Sequence, residues 1–218
     1  MKGLLLIAVT ILAVGCGEKD ESSTEVKLEL KGVSVEEIEP REGLAYVKGS
    51  DAPYTGKVFA LYENGQKMTE GNFKDGKQEG LAVRWHVNGQ KKGEANWKDG
   101  KVNGLLTEWY ENGQKEQYQN LKDGNLHGPS VGFYKNGQKS WEGNYKGGKR
   151  EGLWVRWHEN GQKRSEANYK DGKGHGPFVM WHKNGQKWRQ ANFKDNELIS
   201  EKWWDTKGKP VDSYDESF

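Results

Sequence analysis

Short runs of alternating polar and apolar residues dominate the chain. Leu153-Trp154-Val155-Arg156-Trp157-His158 alternates, is rich in β-branched and aromatic side chains, and reads as a strand. Gln162-Lys163-Arg164-Ser165-Glu166-Ala167-Asn168-Tyr169 reads as a second. Glu159-Asn160-Gly161 separates them and Lys170-Asp171-Gly172 follows them, and both read as one kind of turn, since Asn and Asp tolerate left-handed angles and Gly adopts them freely. The unit recurs. Asn-Gly-Gln-Lys begins at Asn64, Asn88, Asn112, Asn136, Asn160 and Asn184, each start 24 residues after the last. A fixed period of that length is the signature of a repeat array.

The loop length at Asn160-Gly161 decides which residues share a face. A two-residue loop would pair Val155 with Glu166. A three-residue loop, Glu159-Asn160-Gly161, pairs Trp157 with Lys163, Val155 with Ser165 and Leu153 with Ala167, and gathers the apolar positions. On that register one face carries Trp85, Trp109, Phe133, Trp157 and Trp181 from the first strands. Phe73, Trp97, Leu121, Tyr145, Tyr169 and Phe193 join them from the second strands, with Gly71, Ala95, Gly143, Ala167 and Ala191 between. The other face is polar, with Arg84, Arg156, Glu94, Glu142, Glu166 and the asparagines Asn72 to Asn192. The fold class is therefore all-β, a single-domain antiparallel β-meander of 24-residue hairpin repeats with about thirteen strands. The array covers 57–209, six full repeats and a degenerate cap at Trp203-Trp204-Asp205-Thr206-Lys207-Gly208. A lead-in turn and strand occupy 34–56, and a C-terminal tail 210–218.

Composition fits a thin array rather than a thick core: hydrophobic residues are 33%, against 30 glycines and 10 tryptophans. The net charge of +2 gives no large excess that would point to nucleic acid or an acidic membrane surface. Lys2 precedes the apolar run Leu4 to Val14, too short for a membrane span and of the form of a signal peptide over 1–15. Ala13-Val14-Gly15-Cys16 resembles a bacterial lipobox, which implies cleavage before Cys16 and lipidation of that residue. Cys16 is the single cysteine, so no disulfide forms within one chain. Residues 16–33 are polar and charged and read as a flexible tether. The chain is thus expected to be exported and lipid-anchored, at the outer membrane if the cell has two, because Gly17 rather than Asp follows the cysteine.

No catalytic constellation stands out. His86, His158 and His182 occupy the position held by Tyr62, Tyr110 and Tyr134 in other repeats, which reads as a half-buried aromatic with a polar tip. His127 and His175 precede Gly-Pro in turns. Gly172-Lys173-Gly174-His175-Gly176 joins two strands and opens no helix, so it is not a phosphate cradle. Neither a metal nor a cofactor is called for, and Glu142 and Glu166 read as solvated charges. Trp154, Phe178, Met180 and Trp188 fall on the otherwise polar face, where the repeat does not require them. They read either as a partner-binding patch or as the seat of the tail residues Val211, Tyr214 and Phe218.

Tyr62-Glu63-Asn64-Gly65-Gln66-Lys67, followed by Gly71-Asn72-Phe73-Lys74-Asp75-Gly76-Lys77-Gln78-Glu79-Gly80-Leu81, resembles the MORN-variant repeat, as found in YwqK-type antitoxins and in exported lipoproteins. The resemblance covers about Tyr54 to Gly208. It implies a meandering antiparallel sheet and a non-enzymatic role: binding a protein partner, neutralising a toxin, or scaffolding at a membrane. Gly147 in place of Asp, Asn196 in place of Gly, and Pro129 and Pro177 in place of Leu are departures that alter turns and edges. The expected function is recognition of a protein partner; the alternative is binding of envelope glycans or lipid headgroups through the aromatic ladder.

Overall fold

The computed structural model describes residues 32–212. The signal segment, Cys16, most of the tether, and Tyr214 and Phe218 lie outside the described residues. In chain order the strands are β1 (Val33–Ser34), β2 (Ile38–Arg41), β3 (Leu44–Val47), β4 (Gly56–Leu61), β5 (Lys67–Lys74), β6 (Lys77–Trp85), β7 (Lys91–Lys98), β8 (Lys101–Trp109) and β9 (Lys115–Lys122). They continue as β10 (Asn125–Phe133), β11 (Lys139–Lys146), β12 (Lys149–Trp157), β13 (Lys163–Lys170), β14 (Lys173–Trp181), β15 (Lys187–Lys194), β16 (Glu197–Trp204) and β17 (Pro210–Val211).

The fifteen strands other than β2 and β3 form one sheet in which β4 to β16 follow each other as an antiparallel meander. The expected fold class is what the chain adopts. The short β1 pairs with β4 in parallel, the one parallel pair among the described residues. β2 and β3 form a separate hairpin. Ala45 N on β3 donates to Gly76 O at 2.8 Å, and Tyr54 N donates to Ala45 O, so this lead-in covers the first Asp-Gly turn.

The two turns of the repeat are not of one form. In Lys170-Asp171-Gly172-Lys173 both Asp171 (φ 51°) and Gly172 (φ 84°) are left-handed, a two-residue turn of type I′ that sets Lys170 opposite Lys173. At Asn160-Gly161 only the glycine is left-handed. Gly161 N donates to His158 O at 2.9 Å and His158 N to Gln162 O at 2.8 Å, which closes the expected three-residue loop.

The register beyond that loop corrects the sequence reading. Trp157 faces Lys163 as expected, but Arg164 is then skipped and Arg156 faces Ser165, Val155 faces Glu166 and Trp154 faces Ala167. One bulged residue restores the pairing that the loop length alone excludes. A bulge of one residue reverses side-chain parity, so the apolar set is divided between both faces instead of lying on one. Face A carries Trp154, Ala167, Tyr169 and their equivalents; face B carries Trp157, Glu166 and Asn168. The same skip occurs at Met68, Lys92, Glu116, Ser140 and Trp188.

No thick core results. Among the described residues the buried side chains are Val58, Ala60, Ala95, Ser130, Trp154 and Ala191 on face A, Thr107, Val131 and Val155 on face B, and Ala45 in the lead-in hairpin. A Cβ at Gly143 would collide with the Trp154 ring, and one at Gly132 with Trp141. Both indoles therefore lie flat on the backbone of the neighbouring strand, where only glycine leaves room.

Candidate functional site

The residues that repeat most faithfully hold one repeat to the next. Asn160 Oδ1 accepts from Gln162 N at 3.1 Å within its own loop, while Asn160 Nδ2 donates to Lys183 O of the following loop at 2.8 Å. The same donation runs from Asn88, Asn112, Asn136 and Asn184. Tyr62, Tyr110 and Tyr134 donate their hydroxyls to the carbonyls of Trp85, Phe133 and Trp157 at 2.6–2.7 Å. His86 and His158 do the same from Nε2 to Trp109 O and Trp181 O, at 2.8 and 3.0 Å. The polar-tip reading of that position is what the geometry shows. His182 is the exception: its Nε2 is buried without a partner. The counterpart of β14 in the next repeat, β16, has eight residues where β14 has nine.

Lysines of this Asn-Gly margin are likewise engaged. Lys67 lies 2.7 Å from Glu70 and 5.6 Å from the Trp85 ring centroid. Lys91, Lys139 and Lys163 repeat the arrangement against Glu94, Glu142 and Glu166 and the rings of Trp109, Trp157 and Trp181. Hydrogen bonds from Lys67 and Lys57 hold the Glu70 carboxyl below its ordinary value of 4.5. A hydrogen bond to Glu142 correspondingly raises the Lys139 ammonium.

The predicted patch is not where the sequence placed it. Trp154, Phe178 and Met180 sit on face A, opposite Ala167, Ala191 and Arg189, not on the face of Glu166. Trp154 is only 5% exposed. It stacks on Trp141 at 5.7 Å, meets Tyr145 edge-on at 4.9 Å, and donates from Nε1 to Asn144 O at 3.2 Å. Arg150 lies 4.7 Å from the Trp154 ring and 5.3 Å from that of Tyr169. Trp154 is thus a packing residue. Phe178 and Met180 are half-buried; Phe178 packs edge-on against Phe193 at 5.8 Å. Trp188 is the bulged residue of β15 and lies 5.4 Å from Trp203. Val211 reaches Trp203 on β16, not Phe178. An open hollow of about 490 Å³ beside it is lined by Glu201, Lys202, Trp203, Trp204 and Pro210.

Face B carries what the sequence reading missed. Leu81, Leu105 and Leu153 are 48%, 46% and 51% exposed. They belong to a second bulge of each first strand, where β5 to β6 pairing jumps from Glu70↔Val83 to Asn72↔Glu79. Pro129 and Pro177 hold the same position and are also exposed. Pro129 is accommodated because His127, Gly128 and Pro129 are skipped in the pairing of β10 with β9, so the missing N–H leaves that ladder intact. The five form an apolar column, one member every second strand, at steps of about 9.6 Å.

Beside that column, at the Asp-Gly margin, lies a row of lysines. Lys74 faces Lys77, Lys98 faces Lys101, Lys146 faces Lys149 and Lys170 faces Lys173, all exposed. Lys122 and Lys194 extend the row opposite Asn125 and Glu197. Among the described residues none of these ten lysines enters an ion pair within 4.0 Å. The margin's other side chains serve the backbone: Glu79 and Glu151 accept from Asp99 N and Asp171 N at 3.0 and 2.9 Å. The signal that could have found this strip was the Leu-to-Pro interchange, which a packed core position would not tolerate.

No curated protein matches the chain. Four segments match the model of the MORN repeat variant, at residues 54–75, 102–123, 150–171 and 174–195.

Proposed function

We propose that the chain is a non-catalytic recognition protein, held at the cell envelope by a lipid on Cys16, whose β-repeat sheet binds a protein partner. The observation that carries this reading is the exposed column Leu81, Leu105, Pro129, Leu153 and Pro177. Repeat packing does not use these side chains, and an aligned apolar strip on a water-facing sheet supports a partner surface. Phe178, Met180 and Trp188, half-buried near the C-terminal end, are a second and smaller contact. Toxin neutralisation is a narrower form of the same reading and rests on the resemblance to YwqK-type antitoxins. Glycan binding by the ladder is less favoured, because a lysine lies over each of the rings of Trp85, Trp109, Trp157 and Trp181, where a sugar would stack.

The test places a photo-crosslinking residue at Leu105, at Leu153 and, as a control on the other margin, at Glu111, in cells expressing the full chain. Adducts to one protein from Leu105 and Leu153 but not from Glu111 are expected. Equal adducts from all three, or none, would contradict the reading. Cys16→Ser tests the anchor: the variant should lose metabolic labelling by a fatty acid and leave the membrane fraction.

A further inference from the structure

We infer that the Asp-Gly margin is a binding edge for a linear polyanion, centred on the turn Lys146-Gly147-Gly148-Lys149. This goes beyond the protein-partner reading and uses different side chains. The net charge of +2 is a total over the whole chain and does not show that ten lysines align along one margin.

Three observations support it. Like charges directly opposite each other on adjacent strands destabilise a sheet, yet this chain sets lysine against lysine in four hairpins. A repeated local cost without an internal partner marks a position held for another purpose. At the Asn-Gly margin, by contrast, Lys67, Lys91, Lys139 and Lys163 each have a carboxylate and a ring. Next, the spacing is that of a linear charge. From β5 to β15 each strand contributes one lysine to the row except β10, where Asn125 stands. Adjacent strands are about 4.8 Å apart, so the row presents one ammonium about every 5 Å, a match for a chain polymer of phosphates rather than for a single small anion.

The third observation locates the centre. Five turns place an aspartate between their flanking residues, Asp75, Asp99, Asp123, Asp171 and Asp195, and these carboxylates reduce the local field. Only at Gly147 is the aspartate missing, and Gly147 keeps the left-handed geometry at φ 56°. Lys146 and Lys149 therefore face solvent with no acid in their own turn. Lys122 and the Lys170/Lys173 pair flank them on the neighbouring hairpins, with Asp123 and Asp171 as the opposing charges and Glu151 engaged on Asp171 N. His127 Nδ1 accepts from Gly147 N at 3.4 Å, so an imidazole stands beside this turn where other repeats have the carboxylate of Glu79 or Glu151.

The experiment measures binding of fluorescent inorganic polyphosphate to the full chain across a salt series, with phosphatidylglycerol vesicles as a separate arm. Wild type should bind polyphosphate at low salt with a steep salt dependence. Lys146→Gln/Lys149→Gln should weaken binding about tenfold and lower the log–log salt slope by about 2, one for each phosphate that the two ammonium groups neutralise. Gly147→Asp restores the residue of five other turns, so it keeps the turn conformation, and it should weaken binding several-fold. Lys67→Gln, on the engaged column, should leave binding unchanged. Thermal melts confirm that each variant is folded. No binding at low salt, variants at Lys146, Lys149 and Gly147 that bind like wild type, equal weakening by Lys67→Gln, or retention by vesicles alone would each overturn the proposal.

Discussion

The two margins of the sheet are built from the same period but use their side chains differently. At the Asn-Gly margin most of the repeated residues are engaged, His182 and Lys115 being exceptions. Asparagine closes its own loop and reaches the next, tyrosine or histidine bonds a carbonyl one repeat on, and lysine pairs with glutamate over an indole. Glutamine joins them: a Cβ at Gly161 would meet Gln138 Oε1 at 2.9 Å, so the glutamine side chain lies across the next turn's glycine. At the Asp-Gly margin the backbone is held just as firmly, Gly172 N donating to Arg150 O at 2.9 Å, but the lysines have no internal ion pair. The comparison teaches that the most faithfully repeated motif of an array marks its assembly. The recognition surface proposed for this chain lies where side chains repeat without an ion pair to the neighbouring repeat.

The comparison can be broken by substitutions of decreasing expected effect. Trp154→Ala removes the interior of face A that the margins flank, and should cost about 3–5 kcal/mol in equilibrium unfolding. A loss below about 1 kcal/mol would return Trp154 to the surface role read from sequence. Asn136→Ala removes the loop bond to Gln138 N and the donation to Glu159 O, and should cost about 1–2 kcal/mol. Asn136→Asp keeps the first bond but sets a carboxylate against a carbonyl, so it should not rescue the second.

Glu70 gives a pH test. Its carboxyl is held below its ordinary value of 4.5, so the folded state binds its proton less readily than the unfolded chain. The stability it contributes is therefore complete well above 4.5 and declines as the pH falls through that value towards the folded one. Melts of wild type and Glu70→Gln should differ at pH 7 and converge in acid. A difference that grows in acid would reverse the sign. The smallest effect belongs to the other margin: Lys98→Gln should change the melting temperature hardly at all, or raise it slightly, because it relieves the repulsion with Lys101.

The division between margins also explains what was legible in the sequence. Turns were legible because Asn-Gly and Asp-Gly impose backbone geometry directly. The histidine position was legible because interchange with tyrosine fixes its chemistry. The faces were not, since they depend on one bulged residue after each Asn-Gly-Gln-Lys, and that position holds Met68, Lys92, Glu116, Ser140, Arg164 and Trp188 without any common character. A residue that belongs to neither face is free to vary, and its variability was the only trace of the bulge. Without the bulge, Trp154 falls on the polar face, and the exposure of Leu81, Leu105 and Leu153 is hidden by a strand-like setting that looks like core. Trp188 reads from sequence as an aromatic that the repeat does not require, and it is in fact a bulge residue resting on Trp203.

The most direct test of the two-margin account compares two triple variants in the same melt. Lys91→Gln/Lys139→Gln/Lys163→Gln removes three ion pairs and three ring contacts, together worth about 2 kcal/mol at these exposed positions, and should lower the melting temperature by about 5 °C. Lys101→Gln/Lys149→Gln/Lys173→Gln should leave it unchanged or raise it. If the second set lowers the melting temperature as much as the first, the Asp-Gly lysines are structural and the distinction between the margins fails.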